Sequence, residues 1–209
     1  SFDGLADKLI AQLAATDARI ARDKDERLDR VFNAMVKEFG STAVHAEMTR
    51  ALRTPRHADL RYHRAALDLS RGVDGAAKIV TTNFDLLFEA ASRGLQTYVP
   101  PALPDLTQIQ PIQGVVYLHG RLSRAGRPNP YVITSADFGR AYLAEGWAAR
   151  FVRELRERYT IVLLGYSAND MAMQYLLEGL NSREGVDYRT QLYAFAPEGG
   201  AAVDEAWRD

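Results

Sequence analysis

The sequence predicts an α/β domain with a doubly wound parallel sheet and a helical portion ahead of it. Two patterns carry that prediction. In residues 1–70 apolar side chains fall at helical spacing, Leu5, Leu9 and Leu13 and then Val31, Met35 and Phe39 recurring at i, i+4 and i+8. From Lys78 onward the pattern becomes one of short β-branched runs, each closed by polar residues and followed by a helical stretch. Runs apolar on both faces suit buried parallel strands, and their alternation with helices suits crossover connections. At 209 residues, 47% hydrophobic and 25% charged, the chain fits one folded domain, 1–209, comprising a helical portion (1–70) and an α/β portion (71–209).

Taken in order, the helical portion includes a segment, Asp17 to Arg30, charged in both signs, which reads as a solvated helix or a connection. The candidate strands are Lys78–Thr82, Gly114–Leu118, Tyr131–Thr134, Tyr159–Leu164 and Gln191–Phe195. Helices are expected near Phe84–Ser92, across Asp137–Arg158 with a break at Gly146, and over Asp170–Leu180. Pro100, Pro101, Pro104 and Pro111 make Tyr98 to Pro111 an irregular surface loop, since proline lacks the N–H that a ladder or helix requires.

Composition excludes several classes of function. A formal net charge of −1 provides no overall positive field for nucleic acid or an anionic membrane. There is no apolar run of membrane-spanning length and no leader pattern, so a cytoplasmic protein is expected. With no cysteine there is no disulfide, thiol nucleophile or thiolate zinc site. The four histidines do not compensate: His57 and His63 are six apart, a spacing that matches no helical metal pair.

In doubly wound sheets ligands bind beyond the carboxyl ends of the strands, and three polar clusters fall there. Thr81-Thr82-Asn83-Phe84-Asp85 follows a strand and precedes a helix. Asn83 and Asp85 are good helix caps, and equally a hydrogen-bonding amide beside a carboxylate could orient a ribose. Leu118-His119-Gly120 ends another run, where the imidazole is a structural or a catalytic residue. Leu164-Gly165-Tyr166-Ser167-Ala168-Asn169-Asp170 turns from a strand toward a helix; its backbone N–H groups could cradle a phosphate or simply form a capped turn. A serine-hydrolase elbow fits this third cluster poorly. Asn169 stands where the motif needs glycine, and every histidine precedes Ser167. The arginines at 150, 153, 156 and 158, interleaved with Glu154 and Glu157, read as an exposed, ion-paired helix.

In their order TTNFD, LHG and LLGYSAND, the clusters resemble the sirtuin superfamily, most closely the NAD-hydrolysing sirtuin-like domains of bacterial anti-phage defence proteins; YVITSADFGRAYL is similar to that branch too. The resemblance covers roughly Ala66 to Phe195 and implies a Rossmann-like fold. It implies that Asn83 orients the nicotinamide-side ribose or the attacking water and that His119 is the general base, making these two the catalytic residues. It further implies that Thr81, Thr82 and Asp85 belong to the NAD site, Asp85 facing the carboxamide, while Gly165 and Ser167 hold the adenosine ribose and phosphates.

Departures from the pattern separate the branches of that family. Deacylating sirtuins carry four zinc-binding cysteines, a Gln where Thr82 stands and a Phe-Gly-Glu strand, whereas here Phe138-Gly139 is followed by Arg140. Each departure weakens deacylation and leaves NAD cleavage untouched. The expectation is therefore an NAD+ glycohydrolase, NAD being the substrate and zinc not required, acting as the effector part of a larger homo-oligomeric defence protein with a sensor domain or partner. The alternatives are a non-catalytic module that senses NAD or ADP-ribose, and a deacylase or ADP-ribosyltransferase. The resemblance also implies a strand and a Gly-Ala-Gly-x-Ser loop upstream of Ser1, so that residues 1–209 alone are expected to bind NAD weakly.

Overall fold

The computed structural model describes residues 2–13, 27–108, 112–123, 131–165 and 192–195. The helical portion forms four helices, α1 (Phe2–Leu13), α2 (Leu28–Phe39), α3 (Ser41–Ala51) and α4 (Arg61–Leu69). The periodic residues do what their spacing implies. Leu5, Leu9, Val31, Phe32, Met35, Val44 and Met48 are all buried in one cluster, which Phe84, Leu122, Tyr131 and Ile133 of the α/β portion join. The two portions thus share a core. Of the charged Asp17–Arg30 segment, residues 17–26 lie outside the described residues, and Leu28 to Arg30 open α2.

The α/β portion begins with β1 (Lys78–Thr81), followed by the short α5 (Leu87–Ala91), β2 (Thr97–Tyr98) and β3 (Gly114–Tyr117). These strands make a parallel sheet of order β1-β3-β2, with Thr81 opposite Tyr117 and Tyr98 opposite Val116. The central strand, β3, is buried along its whole length. A second parallel pair joins β4 (Ile161–Leu163) to β5 (Leu192–Ala194). The described residues therefore form a mixed α/β structure with small parallel sheets. The expected helix over 170–180 lies outside them.

Between β3 and β4 the chain makes α6 (Ser135–Phe138), a π-helical segment Gly139–Ala144 and α7 (Trp147–Arg158). The break expected at Gly146 is present: the residue has φ +63°, which glycine adopts without a steric penalty. Phe151 and Val152 of α7 pack with Val116 of β3 and with Leu118 just after it. Arg156 departs from the expected exposed arginine series, being only 8% exposed.

Three further expectations are corrected. Tyr131–Thr134 is not a strand. Tyr131 and Ile133 enter one core cluster while Val132 enters the other, so the alternation reflects a connection threaded between two cores. The proline-rich stretch is irregular but not wholly superficial, because Leu106 is buried beside Ile112 and Val116, and its first residue, Tyr98, closes β2. The helix expected from Phe84 starts only at Leu87, for a reason that belongs to the site.

Candidate functional site

Parallel pairing brings the carboxyl ends of β1 and β3 side by side, and the loops leaving them continue the contact. Leu118 donates its N–H to the Thr81 carbonyl at 2.8 Å, and Leu122 donates to the Phe84 carbonyl at 2.8 Å. The Thr81–Asp85 and Leu118–Gly120 clusters are thereby held together at one edge of the sheet. Gly165 follows β4, in the second sheet, and Ser167 lies outside the described residues.

Local side chains shape the first loop. Thr81 Oγ1 accepts from the N–H of Asn83 at 3.1 Å, and Asp85 Oδ1 accepts from the N–H of Leu87 at 3.0 Å. These i to i+2 turns compete with helix hydrogen bonding, which delays α5 to Leu87. Asn83 is consequently an exposed turn residue rather than a helix cap, with its amide available to a ligand. Asp85 anchors the turn with one carboxylate oxygen. Thr82 is partly exposed beside them.

His119 lies deeper. Its residue is 4% exposed, and Nε2 shares a hydrogen bond of 2.8 Å with the hydroxyl of Tyr142. The rings of Phe138 and Tyr142 approach the imidazole edge-on, at centroid distances of 5.3 and 5.9 Å, and are stacked on each other at 6.0 Å. The His119 carbonyl accepts from Val132 at 3.0 Å, fixing the loop to the threaded connection. An imidazole held this way has a defined orientation and a defined hydrogen-bonding nitrogen.

Beneath the loops is a polar cluster that sequence reasoning did not identify. Tyr117, wholly buried, donates its phenolic O–H to Glu89 Oε2 at 2.8 Å, and Arg121 pairs with Glu89 Oε1 at 3.1 Å. Burial first, and then the Glu89 charge, push the Tyr117 phenol far above its ordinary range, so it remains a donor. Arg121 also lies 6.0 Å from the centre of the Tyr117 ring. The group joins α5 to the loop carrying His119. A cleft of about 580 Å³ adjoins it, lined by Arg50 of α3, by Arg53 just after that helix and by Leu86 and Leu122; Asn83, Asp85 and His119 do not line it. Among the described residues no cluster of three or more His, Asp or Glu could hold a metal ion, and no helix is long and apolar enough to cross a membrane.

Phe138 and Tyr142 were detectable in principle as aromatic residues four apart, but only the structure relates them to His119. Glu89 and Arg121 left no local signal, because their pairing is made in three dimensions.

Known proteins bear on this geometry. A family model for the SIR2-like domain matches residues 77–209, from the start of β1 onward and over more than half of the chain. Over 160 residues, 71% of the chain, there is 38% identity to an uncharacterized protein, y4cA, of Sinorhizobium fredii (strain NBRC 101917 / NGR234). The chain spans only 13% of that relative's length. With the TTNFD and LHG loops joined at one sheet edge and the family match running through both, the chain belongs to the SIR2-like domain family, within the sirtuin superfamily.

Proposed function

We propose that the protein is an NAD+ glycohydrolase, releasing nicotinamide and ADP-ribose. The observation that carries this reading is the joining of the Asn83–Asp85 and His119 loops by the Leu118–Thr81 and Leu122–Phe84 hydrogen bonds. An exposed amide, a half-anchored carboxylate and an imidazole are thus gathered at the carboxyl edge of a parallel sheet, where a nucleotide would bind. Cleaving the bond from ribose to a cationic nicotinamide develops positive charge on the sugar. Positioning and electrostatics serve that step better than a strong nucleophile does.

In this proposal Asn83 orients the ribose or the attacking water, Asp85 recognises the carboxamide with the oxygen its turn does not use, and His119 takes the proton. Thr81 and Thr82 complete that end of the site, and Gly165 and Ser167 hold the adenosine ribose and phosphates. One doubly wound sheet joining the two described ones, a homo-oligomeric assembly, and an effector role in a larger anti-phage protein belong to the same reading. The absence of cysteine favours it over zinc-dependent deacylation.

A second reading, a module that binds NAD or ADP-ribose and reports occupancy, is favoured by the enclosure of His119 and the engagement of its Nε2 by Tyr142. The deciding experiment incubates the full-length protein with NAD alone and separates the products. Equimolar nicotinamide and ADP-ribose support hydrolysis. Saturable NAD binding without nicotinamide release would establish the sensing module instead.

A further inference from the structure

The π-helical segment Gly139–Ala144 has no role in the reading above, yet it provides a hydrogen-bond partner of the buried imidazole at the sheet edge. Isolated π turns are uncommon and occur often at functional sites, because an extra residue in the turn redirects the side chains after it. Here Glu145 and Gly146 both donate to the Arg140 carbonyl, at 2.9 and 3.3 Å, the first an i to i+5 bond. Ala141 is buried in the core, and Tyr142, next in sequence, reaches His119. Its ring is braced by stacking on Phe138, at an interplanar angle of 19°. Upstream, α6 is fixed by a reciprocal cap: Thr134 Oγ1 accepts from Asp137 N–H at 3.1 Å, and Asp137 Oδ2 accepts from Thr134 N–H at 3.1 Å.

From this geometry we infer that Tyr142 is the positioning residue of His119: its hydroxyl, presented by the π turn, selects the imidazole tautomer and orientation needed at the sheet edge. A neutral imidazole carries one proton on two nitrogens, and because a phenolic O–H is a better donor than acceptor toward an imidazole nitrogen, the Tyr142 contact favours an unprotonated Nε2 with the ring proton on Nδ1. The catalytic consequence rests on the glycohydrolase reading; the tautomer itself does not. The phenol is not required to touch substrate, and no proton leaves it.

The test is histidine side-chain ¹⁵N NMR on the full chain, with the His119 signals identified by their loss in His119→Gln, alongside nicotinamide-release kinetics. Wild type should show one dominant His119 tautomer, and Tyr142→Phe, which keeps the ring and its stacking, should show a redistributed mixture. Its kcat should fall about tenfold or more while KM changes by less than about threefold, the mark of an interaction expressed in the transition state. Phe138→Leu keeps the hydroxyl and should retain the wild-type tautomer. An unchanged tautomer in Tyr142→Phe, an unchanged kcat despite an altered tautomer, or a Phe138→Leu spectrum matching that of Tyr142→Phe would each overturn the assignment. If the wild type releases no nicotinamide, the glycohydrolase reading fails separately and the tautomer comparison decides the role of Tyr142 alone.

Discussion

Tyr117 and Glu89, twenty-eight residues apart in the chain, share a part-buried hydrogen bond of 2.8 Å between phenol and carboxylate, behind the loops at the sheet edge. Arg121 completes the group from the other side of the carboxylate. Glu89 therefore holds α5 to the end of β3, and the stability of both loops depends on it.

Replacing Glu89 should cost more than replacing the tyrosine hydroxyl. Glu89→Ala removes the carboxylate that both Tyr117 and Arg121 use, with an expected loss of about 2–4 kcal/mol. Tyr117→Phe keeps the ring and removes one donor, for about 1 kcal/mol. Urea unfolding of the two variants measures the order, and equal losses would mean that Glu89 acts only through Tyr117.

His45 makes stability depend on pH. It sits edge-on to Tyr131 at 4.6 Å, and burial holds its pKa below the ordinary 6.5, partly opposed by the negative charge of Asp137. The folded state then binds this proton less readily than the unfolded chain. The stability contribution is full above the unfolded value and is lost as pH falls from about 6.5 through the lowered folded value. His45→Gln should flatten the fall in melting temperature across that window. A pH slope identical to wild type would exclude His45 as its source.

Activity should separate Asp85 from Asn83 and the imidazole. On folded full-length protein, Asn83→Ala and His119→Ala should each lower nicotinamide release by on the order of 10² or more, with NAD binding much less affected. Asp85→Asn should chiefly weaken recognition of the nicotinamide end. Were Asp85 only a turn anchor, its loss would cost about 1 kcal/mol of stability and spare turnover, so melting curves measured beside the rates distinguish the roles.

Gly114 opens β3 at φ +137°, and a Cβ there would collide with the carbonyl oxygen of Gln96, the same oxygen that accepts from Val115 at 3.0 Å. Gly114→Ala must displace backbone at the junction of β2 and β3. A loss on the order of 3 kcal/mol is expected, readable as a lower denaturation midpoint. Wild-type stability would mean that the strand start can move freely.

The sequence revealed some of this architecture and concealed the rest for physical reasons. β3 was legible because a run buried along its whole length leaves an unbroken apolar signature, half-buried β1 was legible from its β-branched residues, and the TTNFD and LHG loops were legible because they follow those runs directly. β2 is two residues long and leaves no period to detect. Tyr131–Thr134 misled because a connection between two cores alternates its apolar contacts as a strand does. Asn83 and His119 could be nominated from their positions. Tyr142 could not be tied to His119, because their hydrogen bond joins residues twenty-three apart in the chain.

The π-helical repeat of Gly139–Ala144 gives the family a comparative marker. An α-helix advances about 100° per residue, so deleting a single residue within 139–144 and restoring the regular repeat would turn the position of Tyr142 by roughly that angle away from the imidazole. The composition would barely change, and an alignment would show only a one-column gap. Relatives carrying that gap between the LHG loop and α7 should be scored as lacking the phenol partner even where a tyrosine remains nearby in the sequence. Their histidine would then answer to a different neighbour.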